Sequence, residues 1–182
     1  NLEIYIVSAW QKKFNVYSET GDFLRTFHCP MNTTNFAVTY DGLLCYNMNS
    51  MGNVETSYNL IDIEGKVIKD FSNKYCWDHK QQSMYVFQSE NLFYRFNNRL
   101  FKKEVYSDTV YVFENMNFKP HLVIDVGKKL VTTNARSELT PMELSENYLT
   151  PWNLFEFGDY VYYEFGYGFK IGGNNILYGF IG

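Results

Sequence analysis

Residues Tyr17–Phe27 read YSETGDFLRTF, and 44 positions further on Ile61–Phe71 read IDIEGKVIKDF. Gly21 aligns with Gly65, Phe23 with Val67, Leu24 with Ile68, Arg25 with Lys69 and Phe27 with Phe71. Each stretch alone predicts a hairpin, because a glycine that accepts positive φ separates two apolar strand segments. Their recurrence predicts more: an interval of roughly 40–45 residues holding four short strands is what one blade of a β-propeller requires. A β-sandwich stays open as the other architecture, since two hairpins in an aromatic-rich chain could also match without a repeat.

The pattern extends outward from the pair. Leu2, Ile4 and Ile6 alternate with Glu3, Tyr5 and Val7, the period-two signature of a strand. KFNVYSE continues it, and FLRTFHC returns after Thr20-Gly21-Asp22. FAVTYDGLLCYNM predicts a hairpin about Asp41-Gly42, and the next turns about Glu64-Gly65. SMYVFQSENLFYRFNNRLFKKEVY carries turns at Ser89-Glu90-Asn91 and Asn97-Asn98. Asp108–Phe113 and His121–Val126 read as strands joined through Asn115–Pro120. Later turns fall at Gly158-Asp159, near Gly166–Gly168 and at Gly172–Asn175. The blades are expected at about residues 1–30, 35–77, 82–130 and 150–182 of a single domain or a fragment of one. One short helix is predicted near 141–148: Thr140 is an N-cap, Pro141 opens the first turn and Glu143 completes a capping box.

Composition supports the β reading. Of 182 residues, 16 are Tyr, 16 Phe and 3 Trp, with 19 Asn to serve turns. A net charge of −4 and scattered Lys pairs at 12–13, 102–103 and 128–129 give no footprint for a phosphate backbone, so nucleic acid is not an expected partner. No apolar run approaches the roughly 18 residues of a membrane-spanning helix. Cys29, Cys45 and Cys76 are odd in number and lack metal spacing, so packed thiols are expected rather than a disulfide framework. Both ends lie inside strand-like sequence, LEIYIVSA and NNILYGFIG, which predicts that each is cut; a signal peptide or lipid-attachment cysteine would then lie upstream.

FNVYSETGDFLRTF and YNLIDIEGKVIKDF resemble the blade strands of NHL-type propellers. The segment Arg99–Lys129 is similar to one that recurs in a six-bladed β-propeller family of exported proteins from Bacteroidetes-type bacteria, through Asp108-Thr109-Val110-Tyr111, Pro120, and Ile124-Asp125 with Gly127-Lys128. The likeness covers roughly residues 3–175. It implies a six-bladed propeller with about four blades present, an exported, periplasmic or cell-surface location, and a protein of uncharacterised function, including lipoproteins. A Gly-Pro-Gly-Glu loop common in an early blade of that family is absent here. An unclosed propeller would expose strand edges and apolar flanks, so self-association is a further expectation.

No catalytic, cofactor-binding or metal-ligating residue is indicated. His28, His79 and His121 are isolated, with no metal spacing, and read as strand or loop histidines. Trp77-Asp78-His79 could line a pocket mouth, although packing of the tryptophan explains it as well. Gly166–Gly173 lacks the Lys-Ser/Thr ending of a phosphate loop and reads as hairpin turns. Asn32-Thr33-Thr34 matches a glycosylation sequon by coincidence. Asp62, Asp108 and Asp125 read as turn caps rather than catalytic carboxylates. Trp10, Trp77, Trp152 and Tyr160–Tyr163 are the candidate ligand contacts, because flat aromatic faces stack on sugars and on partner side chains. These features predict a binding module for a protein or glycan ligand. A propeller hydrolase or lyase with a metal or acid/base site in a central channel is the alternative.

Overall fold

The computed structural model describes residues 2–29, 33–78, 80, 86–87, 89–169 and 177–182. The chain divides into two compact units, Asn1–Met48 with Val54–Lys74, and Asn49–Asn53 with Tyr75–Gly182.

The first unit holds two antiparallel sheets. One is β1 (Glu3–Ser8), β2 (Lys13–Ser18) and β3 (Phe23–His28); the other is β4 (Thr33–Val38), β5 (Leu43–Asn47), β6 (Thr56–Ile61) and β7 (Val67–Ser72), each in chain order. The 44-residue repeat is structural to the residue. Ser18 N–H bonds to Asp22 O at 2.9 Å and Asp62 N–H to Lys66 O at 2.9 Å, while the amides of Gly21 and Gly65 return to Ser18 O and Asp62 O. The Ser18 hydroxyl accepts from the amides of Thr20 and Asp22; the Asp62 carboxylate accepts from those of Glu64 and Lys66. Even the irregularity repeats, with a bulge at Val16/Tyr17 in one hairpin and at Leu60/Ile61 in the other. A side-chain acceptor at the first turn position followed three residues later by glycine at φ near +90° therefore builds one hairpin twice.

Tyr5 and Val7 pack inward from β1 against Phe14, Val16, Phe27, Cys29, Leu43, Cys45 and Ile61. Their neighbours Leu2, Ile4 and Ile6 lie on the opposite, exposed face. Cys29 and Cys45 are thus free core thiols, and the Cys45 thiol is pushed up by its hydrogen bond with the Cys29 thiol and by burial. Cys76 is exposed.

The second unit also holds two antiparallel sheets. β8 (Asn91–Phe96), β9 (Arg99–Glu104), β10 (Thr109–Glu114) and β11 (Asn117–Val123) form a four-stranded meander. β12 (Thr150–Phe157), β13 (Tyr160–Gly166) and β14 (Leu177–Ile181) form a three-stranded one, and β12 packs against β8. Asn97-Asn98 and Asn115-Met116 are two-residue turns with φ of 47–59°, the backbone that best matches strand twist. The link between β10 and β11 is therefore two residues long, not the Asn115–Pro120 connection that the sequence suggests. Asn117–Pro120 is strand. Pro120 is tolerated because β11 is a sheet edge and the register shifts opposite Val110/Tyr111, leaving His121 as the extra residue.

A 3-10 turn (Gly127–Lys129), α1 (Thr133–Glu138) and α2 (Pro141–Asn147) link the two sheets. α2 carries the full capping box at Thr140 and Glu143. α1 lies outside the sequence expectation of a single helix. At six residues it is too short to display a 3.6-residue period, and its signal is only Thr132 capping the Ala135 amide. Residues 82–85 and 88 of the expected third blade, and His79 before it, lie outside the described residues.

Candidate functional site

β9 is buried from Leu100 to Glu104, which places two lysines and a glutamate inside the second unit. Alternation sends Lys102 and Glu104 to one face and Lys103 to the other. Lys102 Nζ donates to the Glu104 carboxylate and sits over the rings of Phe118 at 4.6 Å and Tyr111 at 5.1 Å. Lys103 Nζ donates to Ser107 O at 2.8 Å and lies 5.3 Å from the Tyr163 ring. Burial pulls the Lys103 ammonium down to about 8, because desolvation disfavours the charged form.

A second polar group spans the two sheets. Glu156 of β12 accepts from the Tyr94 hydroxyl of β8 at 2.6 Å and contacts His121 Nε2 of β11 at 3.0 and 3.1 Å. Phe101 lies between them, stacked on Tyr94 at 5.0 Å and against His121 at 4.6 Å. Burial, and then the Glu156 carboxylate, push the Tyr94 phenol up. The arrangement can orient an imidazole with a carboxylate. Among the described residues, no three His, Cys, Asp or Glu side chains gather as a metal site.

The aromatic run divides by strand alternation. Tyr163 is buried in the core shared by the two sheets, whereas Tyr160 and Tyr162 point to the other face of β13. There they meet Phe157 and Phe155 in register, with ring centroids 4.8 Å apart for Phe155–Tyr162 and 5.7 Å for Phe157–Tyr160. Phe155–Phe157 closes the row at 5.8 Å. Phe155, Phe157 and Tyr160 are exposed, so these four rings form a contiguous aromatic surface. On the inner side, a cleft of about 590 Å³ lies between β11 and its following loop and the β13–β14 hairpin. Its walls are apolar, with Leu122, Ile124, Val161, Phe165 and Phe180 prominent and Lys129 at the rim.

The other sequence candidates fall apart in space. Trp10 is fully exposed in the β1–β2 turn and Trp152 is partly exposed on β12. Trp77 is buried at 7% exposure, which removes it as a ligand contact: Arg136 lies 4.6 Å from its ring, and its amide bonds to Gly52 O. Gly52 is at φ +79°, and a β-carbon there would stand 2.0 Å from Trp77 O, so only glycine admits this approach. Asp62 and Asp125 cap turns through backbone amides, as their positions suggest. Asp108 does not: the Ser107 hydroxyl accepts the Thr109 amide, and the Asp108 carboxylate accepts the Thr109 hydroxyl. His79, Asn32 and the end of the glycine-rich Gly166–Gly173 stretch lie outside the described residues. Sequence reading missed the partnership of Tyr94, His121 and Glu156, which lie 27 and 35 residues apart along the chain and carry no local motif.

Repeated antiparallel meanders with an aromatic outer surface place the protein in the all-β class, with a fold of the β-propeller type. The chain belongs to the DUF4934 family, a domain of unknown function, whose model matches residues 1–181. No curated protein matches it. Among solved structures, a Bacteroides fragilis protein named for predicted export is similar over 97% of this chain and 54% of its own, at 15% identity and a TM-score of 0.66. Virginiamycin B lyase from Staphylococcus aureus is similar over 98% of this chain and 51% of its own, at 10% identity and a TM-score of 0.49. The chain therefore spans about half the length of the structures it matches. Among the described residues no helix is long and apolar enough to cross a membrane.

Proposed function

We propose that the chain is a non-enzymatic binding module of an exported, periplasmic or cell-surface protein, and that Phe155, Phe157, Tyr160 and Tyr162 contact its ligand. The observation that carries this reading is the contiguous row of exposed rings on β12 and β13. Of the two ligand classes, a neutral glycan fits better than a protein. The C–H face of a sugar stacks on the rings, and the phenol hydroxyls meet its hydroxyls. Export is supported by the description of the Bacteroides fragilis neighbour. The NHL-like, six-bladed architecture, with the four sheets as successive blades of one domain, and a lipid anchor belong to the same proposal.

The test is a glycan array followed by titration calorimetry on the best neutral oligosaccharide, with a Phe157→Ala/Tyr160→Ala variant. Loss of affinity of about tenfold or more, equivalent to ~1.4 kcal/mol, with an unchanged thermal midpoint, supports it. An array without signal sinks the glycan assignment, and a variant that loses midpoint rather than affinity shows that the rings serve packing. The hydrolase or lyase reading rests on the His121–Glu156 pair, and an activity abolished by both His121→Ala and Glu156→Gln would favour it.

A further inference from the structure

Two of the three cysteines meet in the core of the first unit. Cys29 follows β3 and Cys45 stands in the middle of β5, so they come from the two different sheets of that unit. Both are shielded, at 4% and 0% exposure, within one apolar cluster with Phe14, Val16, Phe27, Leu43 and Ile61. The two thiols are hydrogen-bonded to each other. The Thr33 hydroxyl lies 2.6 Å from Cys29 Sγ and bonds to the Cys45 thiol as well. Each backbone is anchored: the Cys29 amide donates to Lys12 O at 2.8 Å, and Cys45 is flanked in register by Phe36 of β4 and Asn59 of β6. Sulfurs in hydrogen-bond contact lie within about 2 Å of the ~2.05 Å length of a disulfide bond. Cys76 is exposed and belongs to the second unit.

We propose that Cys29 and Cys45 form a disulfide that staples the two sheets of the first unit, made by exchange with a small-molecule disulfide, RSSR. Cys29, as thiolate, attacks one sulfur of RSSR: a Cys29 Sγ–SR bond forms and RS⁻ leaves. Cys45 Sγ then attacks Cys29 Sγ, the second RS⁻ leaves and the Sγ–Sγ bond closes. Two thiols are oxidised by two electrons, RSSR is reduced to two RSH, and the two cysteine protons end on those thiols. Cys29 takes the first step because the Thr33 hydroxyl can donate to its sulfur, whereas burial and its hydrogen bond hold the proton on Cys45. Both side chains are out of solvent in the finished fold, so the exchange belongs to the stage before the sheets close on each other. The same packing then keeps reductant out. The bond closes a loop of about 16 residues, long enough for a cross-link to restrict the unfolded chain. The supply of RSSR to the protein rests on the export reading above, since oxidising compartments preserve disulfides; the capacity of the pair to bond does not.

Refolding the 182-residue chain reads the bond directly. The chain is reduced with a phosphine, unfolded, and refolded in a mixture of reduced and oxidised glutathione; remaining thiols are then capped with N-ethylmaleimide in denaturant and the peptide masses mapped. The expected result is one pair of peptides joined through Cys29 and Cys45, lighter by two hydrogens than the separate thiol peptides, with Cys76 capped. The thermal midpoint of the oxidised chain is expected to exceed that of the reduced chain by roughly 5–10 °C. That difference should vanish in Cys29→Ala/Cys45→Ala, and Cys76→Ser should leave the bond intact. Maleimide on both Cys29 and Cys45 after oxidative refolding overturns the proposal, as does a bond from either of them to Cys76. A joined pair that lowers the midpoint or leaves it unchanged overturns it too, because the bond would then not staple the sheets. Because the buffer supplies the glutathione disulfide, the outcome tests the pair whether or not the protein is exported.

Discussion

The two units bury different chemistry. In the first, the buried polar side chains among the described residues are neutral: Thr33, Asn47, Ser57 and Asn59. The second buries Glu90, Lys102, Lys103, Glu104 and Arg136. Asn59 pairs with Asp70 at the cross-strand position where Asn15 pairs with Thr26 one repeat earlier, so the polar contacts of the first unit follow the repeat. In the second unit Lys102 and Lys103 find partners on or just after their own strand, whereas Glu90 and Arg136 are matched by residues far along the chain. Glu90 accepts the Asn49 amide at 2.9 Å and the Tyr106 hydroxyl at 3.1 Å, and Arg136 of α1 lies over Trp77 and Phe87. Neutral amides add little penalty when hydrogen-bonded, whereas a buried charge commits its surroundings to one arrangement. The first unit is thus a repeated scaffold, and the second is individually specified.

The largest effect expected from that difference is at Glu104. Glu104→Ala withdraws the carboxylate from buried Lys102, and breaking a buried pair from one side costs about 3–5 kcal/mol. Chemical denaturation of the variant against the parent checks it. The contact is shielded from solvent, so the loss is expected to be nearly the same at low and high salt. Replacing Asn59 by Ala in the first unit is expected to cost about 1–3 kcal/mol. If the two losses were equal, the contrast between the units would fail.

Lys103 sharpens the same contrast through pH. Its folded value near 8 lies below the ordinary 10.5, so the unfolded chain binds the extra proton between these values and stability rises with pH across that window. The penalty is fully present below about pH 8. A shift of this size corresponds to about 3 kcal/mol at about 1.36 kcal/mol per pH unit. Above pH 10 the opposite sign enters, because Tyr94, Tyr106 and Tyr163 are raised by burial and lose stability when they ionise. Unfolding free energies at pH 7.5–10 should therefore climb for the parent and stay flat for Lys103→Met.

Within the first unit, the paired glycines test how far sequence equivalence extends. Gly21 and Gly65 have φ of +90° and +87°, but a β-carbon on Gly21 meets nothing within 4 Å, while one on Gly65 meets His28 O at 2.5 Å and the Phe27 ring at 2.9 Å. Gly21→Ala should cost only the backbone term, about 1 kcal/mol, and Gly65→Ala about 2 kcal/mol or more, because a carbonyl must also give way. Thermal midpoints of the two variants decide it. Equal shifts would mean that the surroundings, like the hairpin, are repeated.

This pair also shows what the sequence makes legible. The hairpin is local: an acceptor side chain, a glycine and an apolar strand specify it within eleven residues, and the capping box of α2 is equally local. Which face of a strand is buried is not local, because Leu2, Ile4 and Ile6 are as apolar as Tyr5 and Val7, yet only the latter pack inward. The same limit applies to the candidate site. Tyr160–Tyr163 is visible as an aromatic run, but its division into an outward Tyr160/Tyr162 pair and a buried Tyr163 depends on which side of β13 meets β8–β11. His121 reads as an isolated residue because its partner lies on another sheet, and because Pro120 and a bulge turn it there.

The smallest expected effect belongs to the ion pair that the first unit keeps at its surface. Arg25 donates to both Glu3 oxygens at 2.6 and 2.9 Å, and the Tyr5 hydroxyl adds a bond at 2.6 Å. The guanidinium, and then the phenol, hold the Glu3 carboxyl down at about 2. A carboxylate lowered on folding contributes stability that is present above the ordinary value near 4.5 and lost as pH falls toward 2. Glu3→Gln should therefore match the parent at pH 2, fall slightly below it above pH 5, and close that gap in high salt, because exposed pairs are screened. Glu104→Ala should keep its deficit in salt. A salt-insensitive loss at Glu3 would mean that the first unit, too, holds a charge as part of its core.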